Sequence, residues 1–243
     1  SSVTDMADMF YYAESFNQDI SAWDVSSVTT MRGMFYYSTS FNQDISYWDV
    51  SSVTYMDRMF YEAESFNQDI SGWDVSSVTD MSYMFNDAVS LNQDIGDWDV
   101  SNVIDMSSMF SYARSFNQDI SYWDVSGVTD MNRMFAGADS FNKDMGDWDV
   151  SSVIDMSHMF ANAHSFSQDI SNWDVSSVIN MSHMFNDVDL SNYNKCAIHT
   201  SFSSNYHWEY DWEEYCPSEY FQPENRDELK TAVDEWIADK DDA

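Results

Sequence analysis

The sequence predicts an α/β solenoid of 25-residue coils, with short parallel strands on one side and short helices on the other. Three observations predict it. Trp-Asp-Val recurs at Trp23, Trp48, Trp73, Trp98, Trp123, Trp148 and Trp173, a step of 25 residues with no insertion. Met-x-x-Met-Phe keeps the same phase from Met6-Met9-Phe10 to Met181-Met184-Phe185 and takes all but one of the 17 methionines. Phe16-Asn17-Gln18-Asp19-Ile20-Ser21 returns as Phe41 to Ser46 and Phe66 to Ser71, then drifts to Leu91 for Phe, Lys143 for Gln and Ser167 for Asn. A gapless period of this size marks coils that bury their apolar faces only against their neighbours.

The repeats occupy 1–189, beginning in mid-repeat; seven coils are complete and an eighth breaks off after Phe185. In each coil the first half comes first. Met31, Met34, Phe35, Ser38 and Phe41 fall at i, i+3, i+4, i+7 and i+10, the spacing of one face of a short helix. Asp44 to Val50 then sets β-branched and aromatic residues among small polar ones, which reads as a short strand and a turn. At about 4.8 Å per strand, seven to eight coils make a rod roughly 35 to 40 Å long. Stacking places Met on Met, Phe on Phe and Trp on Trp. Methionine is an adaptable filler beside aromatic edges, so a core role accounts for it better than a soft-metal site, and the five histidines follow no period.

The motif Val-Ser-Ser-Val-Thr-x-Met-x-x-Met-Phe-x-x-Ala-x-Ser-Phe-Asn-Gln-Asp-Ile-Ser-x-Trp-Asp resembles the BspA-type leucine-rich repeat of microbial surface proteins, in its 25-residue Met/Trp variety. The resemblance covers Ser1 to about Phe185. The stretch Leu190 to Asn205, followed by Tyr210 to Cys216, is similar to the segment that closes such arrays, giving a cap over 190–222. Family membership implies a secreted or surface-attached protein concerned with adhesion, with no catalytic motif to transfer. In that setting Cys196 and Cys216, with nineteen residues between them, are most simply a disulfide. The alternative, a metal site joined by His199 or His207, lacks a zinc spacing.

Two carboxylate ladders run along the rod: Asp19, Asp44, Asp69, Asp94, Asp119, Asp144 and Asp169, and Asp24, Asp49, Asp74, Asp99, Asp124, Asp149 and Asp174. Like charges about 5 Å apart repel by roughly 1 kcal/mol per pair even in water, so something offsets them. Two readings stand. Each Asp accepts backbone N–H bonds at a turn, or divalent cations such as Ca²⁺ bridge successive coils, with Asp19, Asp44, Asp69, Asp119, Asp24, Asp49 and Asp74 as ligands. No other cofactor is expected. A catalytic acid pair would be unique rather than copied seven times, and no nucleophile or phosphate motif appears, which excludes an enzyme. Asn180-Met181-Ser182 is the one glycosylation sequon, and it lies inside the repeat.

The balance of 9 Lys+Arg against 43 Asp+Glu, a net charge of −34, excludes nucleic acid or an anionic membrane as partner through a basic surface. No apolar run approaches the roughly 20 residues a bilayer needs, and no basic and apolar leader opens the chain. Residues 223–243 read as a terminal helix, a linker or the opening cap of a next unit, with Leu229, Val233, Trp236 and Ile237 on one face. A bare first coil would expose Val3, Met6, Met9 and Phe10. The expectation is therefore a secreted or cell-surface structural protein that partners itself head to tail, in a filament or tandem array. Its flanks are left for glycans or divalent cations. The alternative is an adhesion module that binds a host protein or polysaccharide.

Overall fold

The structure is a computed structural model that describes residues 3–216. Its chain winds in register. Single parallel bridges join Asp5 to Thr30, Thr30 to Tyr55, Tyr55 to Asp80, and so on through Asp105, Asp130 and Asp155 to Asn180. Each coil therefore sits on the one before it with every repeat position above its own copy.

The half-coil that the sequence assigns to a helix is instead a run of tight turns, the strand expected over 44–50 and its copies does not form among the described residues, and the one bridged residue per coil, such as Thr30 or Tyr55, lies just ahead of the turn run. The hydrogen bonds show why. The N–H groups of Met6, Asp8, Phe10 and Tyr12 donate to the carbonyls of Thr30, Arg32, Met34 and Tyr36 in the next coil, at 2.8–3.0 Å. The intervening N–H groups of Met9, Tyr11 and Ala13 donate back three residues, to Met6, Asp8 and Phe10. An α-helix spends its donors inside itself and offers none to a neighbour, and one of two turns is barely stable alone. The turn run places a side chain inward every three or four residues, as a helix does, while binding the coil above. Its geometry requires a left-handed residue at two positions per coil, seen at Asp8 and Tyr12, Gly33 and Tyr37, and Arg133 and Gly137, with φ between 54° and 68°. The 44–50 segment pairs with no strand, because its donors are met locally: Ser46 N–H by the Asp44 carboxylate, Trp48 N–H by the Ile45 carbonyl.

The core consists of columns. Phe35, Phe60, Phe85, Phe110, Phe135 and Phe160 are fully buried and stack at 5.5–5.8 Å between coils. Within a coil, Phe35 lies 3.9 Å from Phe41. Each such ring contributes roughly 1.5–3 kcal/mol on burial. The indole N–H of Trp48, Trp73, Trp98, Trp123, Trp148 and Trp173 donates to a carbonyl 28 residues earlier, at 2.9–3.3 Å, so the tryptophans also tie coil to coil.

Helix α1 (Asn192–Phe202) begins the closing segment, N-capped by the Ser191 hydroxyl, which accepts from Asn194 N–H. Ile198 and Phe202 bury against the last coil. The disulfide Cys196–Cys216 ties α1 to a 3-10 turn at Glu213–Tyr215. In the preceding coil the N–H groups of His158 and Phe160 bond to the carbonyls of Ser182 and Met184. Their copies, His183 and Phe185, instead donate to the Glu209 carboxylate and the Tyr210 hydroxyl. Side chains of the cap thus stand in for a further coil, and Trp208, Tyr210 and Trp212 cover the Phe185 ring. The helix expected over 223–243, with Leu229, Val233, Trp236 and Ile237, lies outside the described residues.

Candidate functional site

The end of the rod opposite this cap is a different surface. Val3 is 44% and Met9 51% exposed, whereas Met34 and Met59, the copies of Met9, are fully buried. Met6 is buried, Phe10 and Trp23 partly so, and Val3, Met6, Met9 and Trp23 line an apolar hollow of about 390 Å³ beside Asp24. In interior coils the same columns are covered by the coil beneath, which also supplies the carbonyl for the indole N–H; among the described residues Trp23 has no such acceptor.

The carboxylate ladders lie on the exposed flanks. In both, the Oδ1 atom accepts the backbone N–H two residues on: Ser21 for Asp19, Ser46 for Asp44, Ser71 for Asp69 and Ser121 for Asp119, at 2.9–3.0 Å. Asp24, Asp49 and Asp74 do the same with Ser26, Ser51 and Ser76, whose hydroxyls also donate at 2.6–2.7 Å. The serine hydroxyls, then the serine N–H groups, hold Asp44, Asp49, Asp69 and Asp74 below the ordinary carboxylate range. Each charge thus has its own turn as partner, which offsets the repulsion along the ladder. Among the described residues no three carboxylate, imidazole or thiolate groups converge to hold a metal ion. Asn180 is half-buried between coils; its amide donates to Asp155 Oδ2 at 2.9 Å and accepts from Ser182.

Sequence reasoning passed over two further columns. Asp80, Asp105, Asp130 and Asp155 form a half-buried carboxylate row at the bridge position, and burial pushes Asp130 upward. Tyrosines stack on the turn side, Tyr11 on Tyr36 at 4.7 Å, Tyr36 on Tyr61 at 4.5 Å and Tyr12 on Tyr37 at 4.5 Å. The available signal was variation. Against fixed Met, Phe and Trp, the residue following the bridge by three reads Asp8, Gly33, Arg58, Tyr83, Ser108, Arg133, His158 and His183.

A family model described as "Mycoplasma protein of unknown function, DUF285" matches residues 1–96 and 79–198. The chain belongs to this family. The two matched segments overlap within the repeat array, and the second ends inside α1, so the family spans the coils and the start of the closing segment. No curated protein and no solved structure matches the chain. Among the described residues no helix is long and apolar enough to cross a membrane.

Proposed function

We propose that the chain is a non-catalytic extracellular structural protein of the cell surface, a leucine-rich-repeat-like rod of the BspA type whose coils continue end to end with further coils. One observation carries this reading: every coil stacks on the next in strict register, with the same backbone bonds and buried columns passing from coil to coil, so the repeat is built to add units along one line. Coils bury their apolar faces only against neighbouring coils, and a head-to-tail contact that does not close propagates as a line. The Cys196–Cys216 bond supports an oxidising compartment. The charge of −34 leaves the flanks to solvent, glycans or cations and argues against nucleic acid. The carboxylates repeat as turn partners without a distinguished pair, which supports a structural role over an enzyme. Calcium, if bound along the ladders, acts through oxygens not already engaged by the turns.

Negative-stain imaging of the purified full chain tests the proposal. Lines of rods are expected at high protein concentration, and Val3→Asp with Met9→Asp is expected to give single soluble rods with an unchanged melting curve. Wild-type protein that stays as single rods, or lines that survive the double substitution, overturns it.

A further inference from the structure

The repeat is least uniform on the turn side of its middle coils, and there the structure opens. The column of Tyr11, Tyr36 and Tyr61 continues as Asn86, Ser111, Ala136 and Ala161, so the ring stack ends and the side chains shrink. The result is a groove of about 370 Å³, within the roughly 300–1,000 Å³ usual for small-molecule sites. Tyr112 forms one wall. In the first coils the corresponding rings, Tyr12 and Tyr37, stack upon each other. Tyr112 has Gly137 as its upper neighbour, in a left-handed conformation at φ 68°, and a Cβ there would stand 2.5 Å from Tyr112 Cδ1. The missing side chain thus gives the ring its place, 43% exposed and with no ring partner among the described residues.

The rest of the lining is polar and mixed in character. Asn86 and Ser111 are buried, Asp87 and Arg133 bring opposite charges, and the Ser108 hydroxyl is buried without a hydrogen-bond partner, the one such side-chain atom among the described residues. A buried hydroxyl left unpaired is costly, and here it lines a groove. We propose that this groove binds a neutral saccharide, with a sugar ring against Tyr112 and its hydroxyls shared among Ser108, Asn86, Asp87 and Arg133. An unstacked aromatic face suits the C–H side of a pyranose, and adjacent donors and acceptors suit its rim. An anionic ligand is disfavoured by Asp87 in the groove, by the Glu62 charge that acts on it, and by the charge of −34 on the whole chain. This inference does not depend on end-to-end assembly.

Titration of the full chain with neutral tetrasaccharides of glucose, mannose and N-acetylglucosamine, followed by calorimetry, tests it. At least one is expected to bind at millimolar concentration or below. Tyr112→Ala should weaken that binding about tenfold or more, Tyr112→Phe should keep it, and Ser108→Ala should weaken it about two- to tenfold, the worth of one hydrogen bond. Ser108→Ala should leave the melting temperature unchanged or higher, since it removes an unpaired group. No saccharide of the panel binding the wild type, or Tyr112→Ala binding as well as wild type with its circular dichroism intact, overturns the proposal.

Discussion

Replacing Trp123 by Phe isolates what the indole column contributes. Trp123 is 4% exposed, its ring lies 6.2 Å from Phe110, and its Nε1 donates to the Ile95 carbonyl at 3.0 Å. Phenylalanine keeps an aromatic ring but loses that bond, leaving the Ile95 carbonyl only the Trp98 backbone N–H at 3.2 Å, at a cost of about 1 kcal/mol. The smaller ring also leaves a small void worth about 1 kcal/mol. The repeat supplies its own control. Trp23 is half-buried and makes no such bond among the described residues, so Trp23→Phe should cost less than about 1 kcal/mol. The gap of about 1 kcal/mol corresponds to roughly fivefold in an opening equilibrium. Because stacked coils need not unfold in one step, the suitable assay is native-state hydrogen exchange, with urea midpoints alongside. Amides of the coils around Ile95 and Trp123 should exchange faster by about that factor in Trp123→Phe. Equal effects of the two substitutions would refute the reasoning that the indole bond couples coils.

Asp187 is exposed and left-handed at φ 55°, so Asp187→Gly should raise stability by about 0.5–1 kcal/mol and Asp187→Val lower it by about 1–2, read from urea midpoints. Burial, then the Glu62 charge, pushes the Asp87 carboxyl up to about 6. Its folded value exceeds the unfolded value of about 3.9, so the stability present below about pH 4 is lost as pH rises through about 6. Asp87→Asn should flatten the melting temperature across that window, and a profile identical to wild type would count against the assignment. Replacing Cys196 and Cys216 by Ser should cost about 3 kcal/mol in the closing segment and let a hydrophobic dye reach Phe185, measured by fluorescence.

The register of the coils was legible because each inward column repeats one residue type, and a gapless period leaves no other way to stack Met6 to Met181 and Trp23 to Trp173. What the period does not encode is where the backbone donors go. Met31, Met34, Phe35 and Ser38 have the spacing of a helix face, and the turn run that replaces the helix has the same spacing. The deciding fact is that Met31, Gly33, Phe35 and Tyr37 send their N–H groups to the next coil, at 2.8–3.0 Å. Gly33 and Gly137 were the visible hint of left-handed backbone. Most copies of those positions hold Tyr, Arg, Ser or His, whose ordinary preferences conceal it.

The division between fixed and varied columns follows from the same hydrogen bonds. An inward residue such as Phe110 touches its copies above and below, Phe85 and Phe135, so one substitution disturbs three coils and the column stays uniform. A left-handed turn position fixes only φ and lies outside the inward columns of the core, so Tyr83, Ser108 and Arg133 succeed one another there without disturbing the stack beneath. The backbone that closes each coil on the next therefore also frees one face of the rod to change from coil to coil. A site that spans several coils arises on that face where large residues give way to small ones. Between Tyr61 and Ala161 the column loses its rings, Gly137 seats Tyr112, and Ser108 remains buried without a partner.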